Sequence, residues 1–391
     1  PVKMAFRSFP VEKQDYERRS GKVTNQRPIS QYSVTIDREV KNDRSNAKYL
    51  VEQNIRNGVY FDLSLGLKTF VDKGVTLENE PYLTPLCKWA ISQPGATIKE
   101  VFGGAEFASW RSTLQRIGMT VLNNPWNKFP TGQDAWTIVA QEFGGVILIS
   151  EESREHDGEL RDIASYSSFK FKQFMTTDRP DGRPDTTSPV DNRSTFEMMV
   201  RTDLVDGDNK LLLCCGTEVD ALRRGVVPIE FKTAWDGTET GFFRDVVTVM
   251  QSELVGVQSI VTGVKKGDIR YEMIYVHKVV EKQVHDIKWK NNIMEAVGQS
   301  YSFLFDLLTR VKKFLTDHSA CEVSFDPTMQ QVVIKSISRL DAKKNGHGVT
   351  DEFLARLNIL PDRSSTSNPL DSTRKAMQEF NLSKAFSYRR I

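Results

Sequence analysis

The segment Lys210–Ala234, KLLLCCGTEVDALRRGVVPIEFKTA, constrains this chain more than any other. An apolar run at Leu211-Leu212-Leu213 leads into Gly216, and a second, β-branched run spans Val226–Thr233. Both read as strands, and the polar, glycine-containing Leu222–Gly225 suits a tight turn between them. Four charged side chains interrupt the strands: Glu218, Asp220, Glu230 and Lys232. Residues i and i+2 of a strand share a face, so Glu218 points with Asp220, and Glu230 with Lys232. A hairpin closing near Arg224 sets Glu218 opposite Glu230 and gathers three carboxylates and one ammonium on a single patch. Such carboxylates repel one another unless a cation lies among them. A hard divalent ion, magnesium or manganese, suits an all-oxygen donor set of this kind. The alternative is a solvated hairpin face with ordinary cross-strand ion pairs. The apolar flanks weigh against it, because buried charges need partners or metals.

A formal net charge of only +2 over 391 residues gives no global polycationic signal, so a nucleic-acid site has to be a local patch. The 39% hydrophobic and 27% charged content suits a soluble globular chain of one large or two average domains. No apolar run reaches membrane-spanning length, and the first residues carry no signal-like apolar stretch. The expectation is an intracellular protein, nuclear or cytoplasmic, without a membrane partner. Cys87, Cys214, Cys215 and Cys321 form no C-x-x-C pair and read as buried thiols in a reducing compartment. The five histidines are scattered, and there is no Walker loop or G-x-G-x-x-G.

Along the chain, residues 1–27 read as a polar arm packed loosely on the main body. A short strand is expected at Ser33–Ile36 and a helix at Asn46–Asn57. Leu83, Leu86 and Trp89 predict a helix over Pro81–Ser92. A strand-like stretch follows Trp110-Arg111, then a hairpin from Ala135–Phe143 and Gly145–Ile149. Leu160–Phe174 reads as a helix, and the Pro-, Asp- and Gly-rich Thr176–Asn192 as a loop. Phe242–Gly256 has one apolar face, and Trp289–Phe314 reads as a long amphipathic helix. Strands are expected at Ser259–Val264, Tyr271–Val280 and Val332–Ile337. Residues 361–391 form a polar tail. Strands in the middle framed by helices predict a single α/β or α+β domain around one mixed sheet.

Several motifs, in order, resemble the DXO decapping exonuclease family. Gly216-Thr217-Glu218-Val219-Asp220 is similar to its GEVD, with one extra residue after the glycine. Ile229-Glu230-Phe231-Lys232-Thr233 is similar to its VELKT, and Met250-Gln251-Ser252 through Val257 to its AQSFLPGV. Arg244, Trp110-Arg111, Asp178-Arg179-Pro180 with Pro184-Asp185, and Phe61-Asp62-Leu63 stand where that family has a basic residue, WRG, DKP…PD and FDL. The resemblance covers roughly residues 28–340 and implies one nuclease domain over 28–360. It also implies a two-sheet core similar to PD-(D/E)XK nucleases and divalent-metal-dependent hydrolysis of RNA 5′ ends: incomplete, unmethylated or NAD-type caps, 5′ triphosphates, or 5′→3′ degradation from a 5′ monophosphate. By position it implies Asp220, Glu230 and the Phe231 carbonyl as metal ligands and Glu218 as a ligand through water. Lys232 and Gln251 would orient the attacking water and the scissile phosphate, and Arg111, Lys170 and Arg244 would contact RNA. Some members of the family bind a 5′→3′ exonuclease.

One position departs from the pattern. The family's G-Y-K-F-E supplies a further metal-ligating glutamate, and here the segment reads Ser168-Phe169-Lys170-Phe171-Lys172. Lys172 replaces an acceptor with a donor and changes the local charge by two. An ammonium near a divalent ion repels it, so metal affinity is expected to fall. Three readings stand: a metal-dependent hydrolase, a family member that binds RNA 5′ ends with impaired or no turnover, and a scaffold for a partner nuclease. Glu151-Glu152, at the end of an apolar strand, are candidates for a substitute ligand.

Overall fold

The computed structural model describes residues 5–72, 81–95, 97–122, 135–151, 158–237, 241–268, 273–290 and 292–356. The expected 361–391 tail lies outside the described residues. Two mixed sheets, rather than one, form the body: a ten-stranded sheet and a seven-stranded sheet. The centre of the larger sheet runs Val146–Glu151, Phe107–Trp110, Asn209–Glu218, Thr195–Asp206 and Lys22–Val34. The smaller runs Asn57–Asp62, Met273–Gln283, Ser259–Asp268, Val227–Trp235, Ala221–Arg223, Tyr49–Leu50 and Thr176–Thr177.

The central segment is therefore not one hairpin. Asn209–Glu218 pairs with Thr195–Asp206 and Phe107–Trp110 in the large sheet. After Glu218 the chain leaves that sheet and enters the small one, where Ala221 faces Ile229 and Arg223 faces Val227. Glu218 faces Glu197 in its ladder, not Glu230. The carboxylates still meet, because the crossing at Val219-Asp220 brings the end of one sheet to the start of the other.

Helices clamp the crossing from two sides. Ile293–Leu315 buries Tyr301, Phe303, Leu304, Leu307 and Leu308 in the main core, together with Val246, Val249 and Met250 of the helix Phe242–Val255. That shorter helix ends at Gly256, whose φ of 72° allows its N–H to close back on Ser252 and Glu253. On the other side lies the helix Gly158–Met175. Its Phe171 is fully buried and sits edge-on to Phe231, with ring centroids 5.8 Å apart. A Cβ at Gly263 would lie 2.7 Å from the Phe171 ring, so only glycine lets the helix seat this closely. This seating sets the position of the next residue, Lys172.

Within the arm expected over 1–27, the described residues from 5 onward are tied into the sheet by two strands rather than loosely packed. Phe6–Pro10 pairs with Gln331–Ser336 at the sheet edge, and Lys22–Val34 pairs along most of Thr195–Asp206. Backbone pairing to a buried strand orders a segment whose side chains give little apolar signal. Residues 46–57 hold the Tyr49–Leu50 strand and a 3-10 turn instead of a helix. The stretch after Trp110 is the helix Arg111–Met119, which buries Leu114 and Ile117. Trp289, expected to open the long helix, lies ahead of its start at Ile293, is 63% exposed and donates to His285. Among the described residues no helix is long and apolar enough to cross a membrane.

Candidate active site

Five elements converge where the chain crosses between sheets. The end of Asn209–Glu218 carries Glu218, the crossing carries Asp220, and Val227–Trp235 carries Glu230 and Lys232. Arg111 opens the helix Arg111–Met119, Gln251 lies on Phe242–Val255, and Lys172 lies on Gly158–Met175. Together they line a cleft of about 530 Å³ that also includes Phe231 and Arg244. A second cavity of about 410 Å³ shares Lys172, Glu218 and Asp220 with it. The Asp178–Asp185 loop contributes Asp178, Arg183 and Asp185 to that second cavity, with Lys48 and Phe169.

The charges inside the cleft balance pair by pair. Glu230 is buried, and its Oε2 accepts from Arg111 Nη2 at 2.7 Å while its Oε1 accepts from Lys232 Nζ at 2.8 Å. Burial pushes the Glu230 carboxyl up, but Arg111 and Lys232 outweigh it and hold it at about 2. Lys232 Nζ also donates to Gln251 Oε1 at 3.1 Å, and Gln251 Nε2 donates to Gln115 Oε1 at 3.2 Å. Arg111 Nη1 reaches the Gln251 carbonyl at 3.4 Å. Arg111 and Gln251 are thereby held in one network with Glu230 at its centre.

Asp220 anchors the other half. Its Oδ2 accepts the Phe231 backbone N–H at 2.7 Å, and its Oδ1 lies 2.5 Å from Lys172 Nζ. Lys172 Nζ also donates to Glu218 Oε1 at 3.2 Å. Burial raises the Asp220 carboxyl above its usual range despite Lys172, and Glu230 and Glu218 add to the rise. Burial works against the Lys172 ammonium, but Asp220 and Glu218 outweigh it and raise it well above the ordinary lysine range. Lys172 therefore stays charged at any physiological pH.

The oxygen donors are of the kind that hold magnesium or manganese, but here they are occupied. Both oxygens of Asp220 and both of Glu230 already have partners, and Glu218 shares Lys172. Among the described residues no group of three or more Asp, Glu, His or Cys side chains is placed to hold a metal ion. As arranged, this cluster does not fit a divalent ion unless Lys172 leaves.

Nine of the ten site residues expected from sequence line this cleft, Phe231 among them. Lys170, expected on RNA, does not. It is 1% exposed and donates to Gln173 Oε1 at 2.7 Å and the Thr186 carbonyl at 2.8 Å. Two residues along a helix turn the side chain by about 200°, so Lys170 and Lys172 cannot serve the same site. Glu151 is also elsewhere: it accepts from Thr113 at 3.0 Å and pairs with Arg116. Glu152 lies outside the described residues. Gln115 was not anticipated, and the only signal for it is its position four residues after Arg111, on the same helix face.

Residues 25–354 match the model of the RAI1-like PD-(D/E)XK nuclease family. The Caenorhabditis elegans decapping nuclease dom-3 is 26% identical over 321 residues, 77% of each chain. The Candida albicans Rai1 structure in complex with pU5 and Mn2+ superposes with a TM-score of 0.67 at 16% identity, covering 90% of this chain and 99% of that one. A mutant S. pombe Rai1 with three glutamates replaced, in complex with 3′-FADP, gives a TM-score of 0.58 at 17% identity over 85% and 99% of the two chains.

Proposed function

Because this chain belongs to the RAI1-like PD-(D/E)XK nuclease family, we propose that it engages RNA 5′ ends in this cleft with its own hydrolysis held down. The observation that carries the reading is Lys172 Nζ, 2.5 Å from Asp220 and 3.2 Å from Glu218. A divalent ion in such a cluster supplies an activated water and Lewis acidity at the phosphate. An ammonium supplies charge and hydrogen bonds, but it does not lower the pKa of a water. Arg111, Lys232 and Gln251 remain positioned to hold a phosphate, and contacts of this type need only donors and positive charge. Arg244, on the cleft wall, adds a positive charge that would suit an RNA phosphate. The S. pombe Rai1 variant with three glutamates replaced is in complex with 3′-FADP. The ligand class follows from the same relatives: a 5′-phosphorylated oligouridylate in one and a dinucleotide of cap-like chemistry in the other.

A second reading is metal-dependent cleavage of capped, NAD-capped, triphosphorylated or monophosphorylated RNA, with Lys172 swung aside. The intact Lys232–Gln251 pair favours it. One experiment decides between the two. End-labelled 5′-monophosphate, 5′-triphosphate and NAD-capped RNAs are incubated with the protein in magnesium and then manganese, beside Asp220→Ala and Lys172→Glu. The proposal expects RNA binding by the unmodified chain and cleavage only by Lys172→Glu. Cleavage by the unmodified chain that Asp220→Ala abolishes establishes the second reading, and absence of RNA binding removes both.

A further inference from the structure

We infer that Lys172 is a resident counter-ion: its tethered ammonium fills the carboxylate cluster, so the cleft is assembled, and accepts a phosphate, without any divalent ion. The geometry carries this independently of which RNA is bound. Three carboxylates, Glu218, Asp220 and Glu230, meet three cations, Lys172, Lys232 and Arg111, through four ion pairs of 2.5–3.2 Å. The cluster is neutral as it stands. A buried, unneutralised cluster of this kind would have to gain a metal or protons to fold.

Lys172 is held in place from three directions. Phe171, fully buried against Gly263 and Phe231, fixes its backbone. Its own carbonyl accepts from Thr176 Oγ1 at 2.8 Å, which ties the end of the helix to the next strand. Its ammonium lies over the Phe169 ring, 5.3 Å from the centroid. A cation held by a covalent stem, two carboxylates and a ring face does not exchange with solvent ions as a free metal does. An ammonium has three N–H donors, and Asp220 and Glu218 each take one. Lys172 also lines both cavities, so a phosphate arriving from either meets this cation. The exchange of metal for ammonium keeps the electrostatic half of the site and removes its water-activating half.

The test reads metal binding, stability and RNA affinity separately. Mn2+ binding is measured by paramagnetic resonance and calorimetry for the unmodified chain, Lys172→Glu, Lys172→Met and the control Lys170→Met. The unmodified chain and Lys170→Met are expected to bind Mn2+ no tighter than millimolar. Lys172→Glu is expected to bind about 100-fold tighter or better, with Lys172→Met in between. The melting temperature of the unmodified chain should be equal in EDTA and in Mn2+, while Lys172→Glu melts higher in Mn2+. If Lys172→Glu does not fold, Lys172→Met carries the comparison alone. A 5′-monophosphorylated oligouridylate should bind the unmodified chain equally in EDTA and Mn2+. Micromolar, stoichiometric Mn2+ binding by the unmodified chain overturns the inference, as does an Mn2+ affinity unchanged by both Lys172 substitutions. Failure to bind the oligonucleotide in either buffer, or binding only in Mn2+, overturns the phosphate-accepting half of the inference, and failure in both also removes the proposed function; the counter-ion half is then decided by the Mn2+ affinities.

Discussion

Lys170 and Lys172 stand two residues apart on one helix, and their surroundings give them opposite roles. Lys170 is 1% exposed, faces the neutral acceptors Gln173 and Thr186, and has its pKa lowered chiefly by burial. Lys172 faces Asp220 and Glu218, and its pKa is raised. One lysine fastens a loop and the other neutralises a carboxylate cluster. What a buried cation does is decided by the groups on its side of the helix, and a turn of about 200° is enough to change them.

Phe171, between the two, is the strongest place to break the contrast. Phe171→Ala removes the ring that seats the helix against Gly263 and Phe231, and should cost about 3–5 kcal/mol in chemical denaturation. It should also loosen both lysines at once, raising protease sensitivity in the 176–192 loop and Mn2+ uptake together. Lys172→Met acts on one side only. It leaves buried Asp220 without its cation, and a loss of about 3 kcal/mol is expected in metal-free buffer. Added Mn2+ should restore part of that loss, measured as a shift in the urea midpoint. Lys170→Met should cost about 1 kcal/mol, the worth of its two hydrogen bonds less the gain from burying a thioether. Its stability should not respond to Mn2+, and its RNA affinity in filter binding should match the unmodified chain. An RNA defect in Lys170→Met as large as that of Arg111→Met would show that the two lysines share a function after all.

Much of the site was legible because its parts are local. The helix carrying Lys172 was expected at Leu160–Phe174 and runs Gly158–Met175. The long helix was expected at Trp289–Phe314 and runs Ile293–Leu315. Apolar periodicity marks such elements wherever they pack. The hairpin expected around Arg224 is real but short, from Ala221 to Ile229, and Glu218 belongs to a different sheet. Strand alternation correctly gave Glu230 and Lys232 a common face, since they bond each other at 2.8 Å. It could not reveal that the strand is interrupted at Val219-Asp220, because a crossing between sheets leaves no periodic signature. The edge strand Phe6–Pro10 escaped for a related reason: its order comes from the backbone of Gln331–Ser336, more than 300 residues away in sequence.

The sequence by itself determined the chemistry available: three carboxylates, the Lys232 and Gln251 side chains, and a lysine at position 172. Identity and short-range spacing are properties of the chain, and they survive any packing. The tertiary structure alone decided which charge meets which. Only the docking of Phe171 on Gly263 brings Lys172 to Asp220, and only the crossing between sheets brings Glu218 to the same point. Those contacts join positions tens of residues apart, so long-range packing sets the distances on which Coulomb interactions depend.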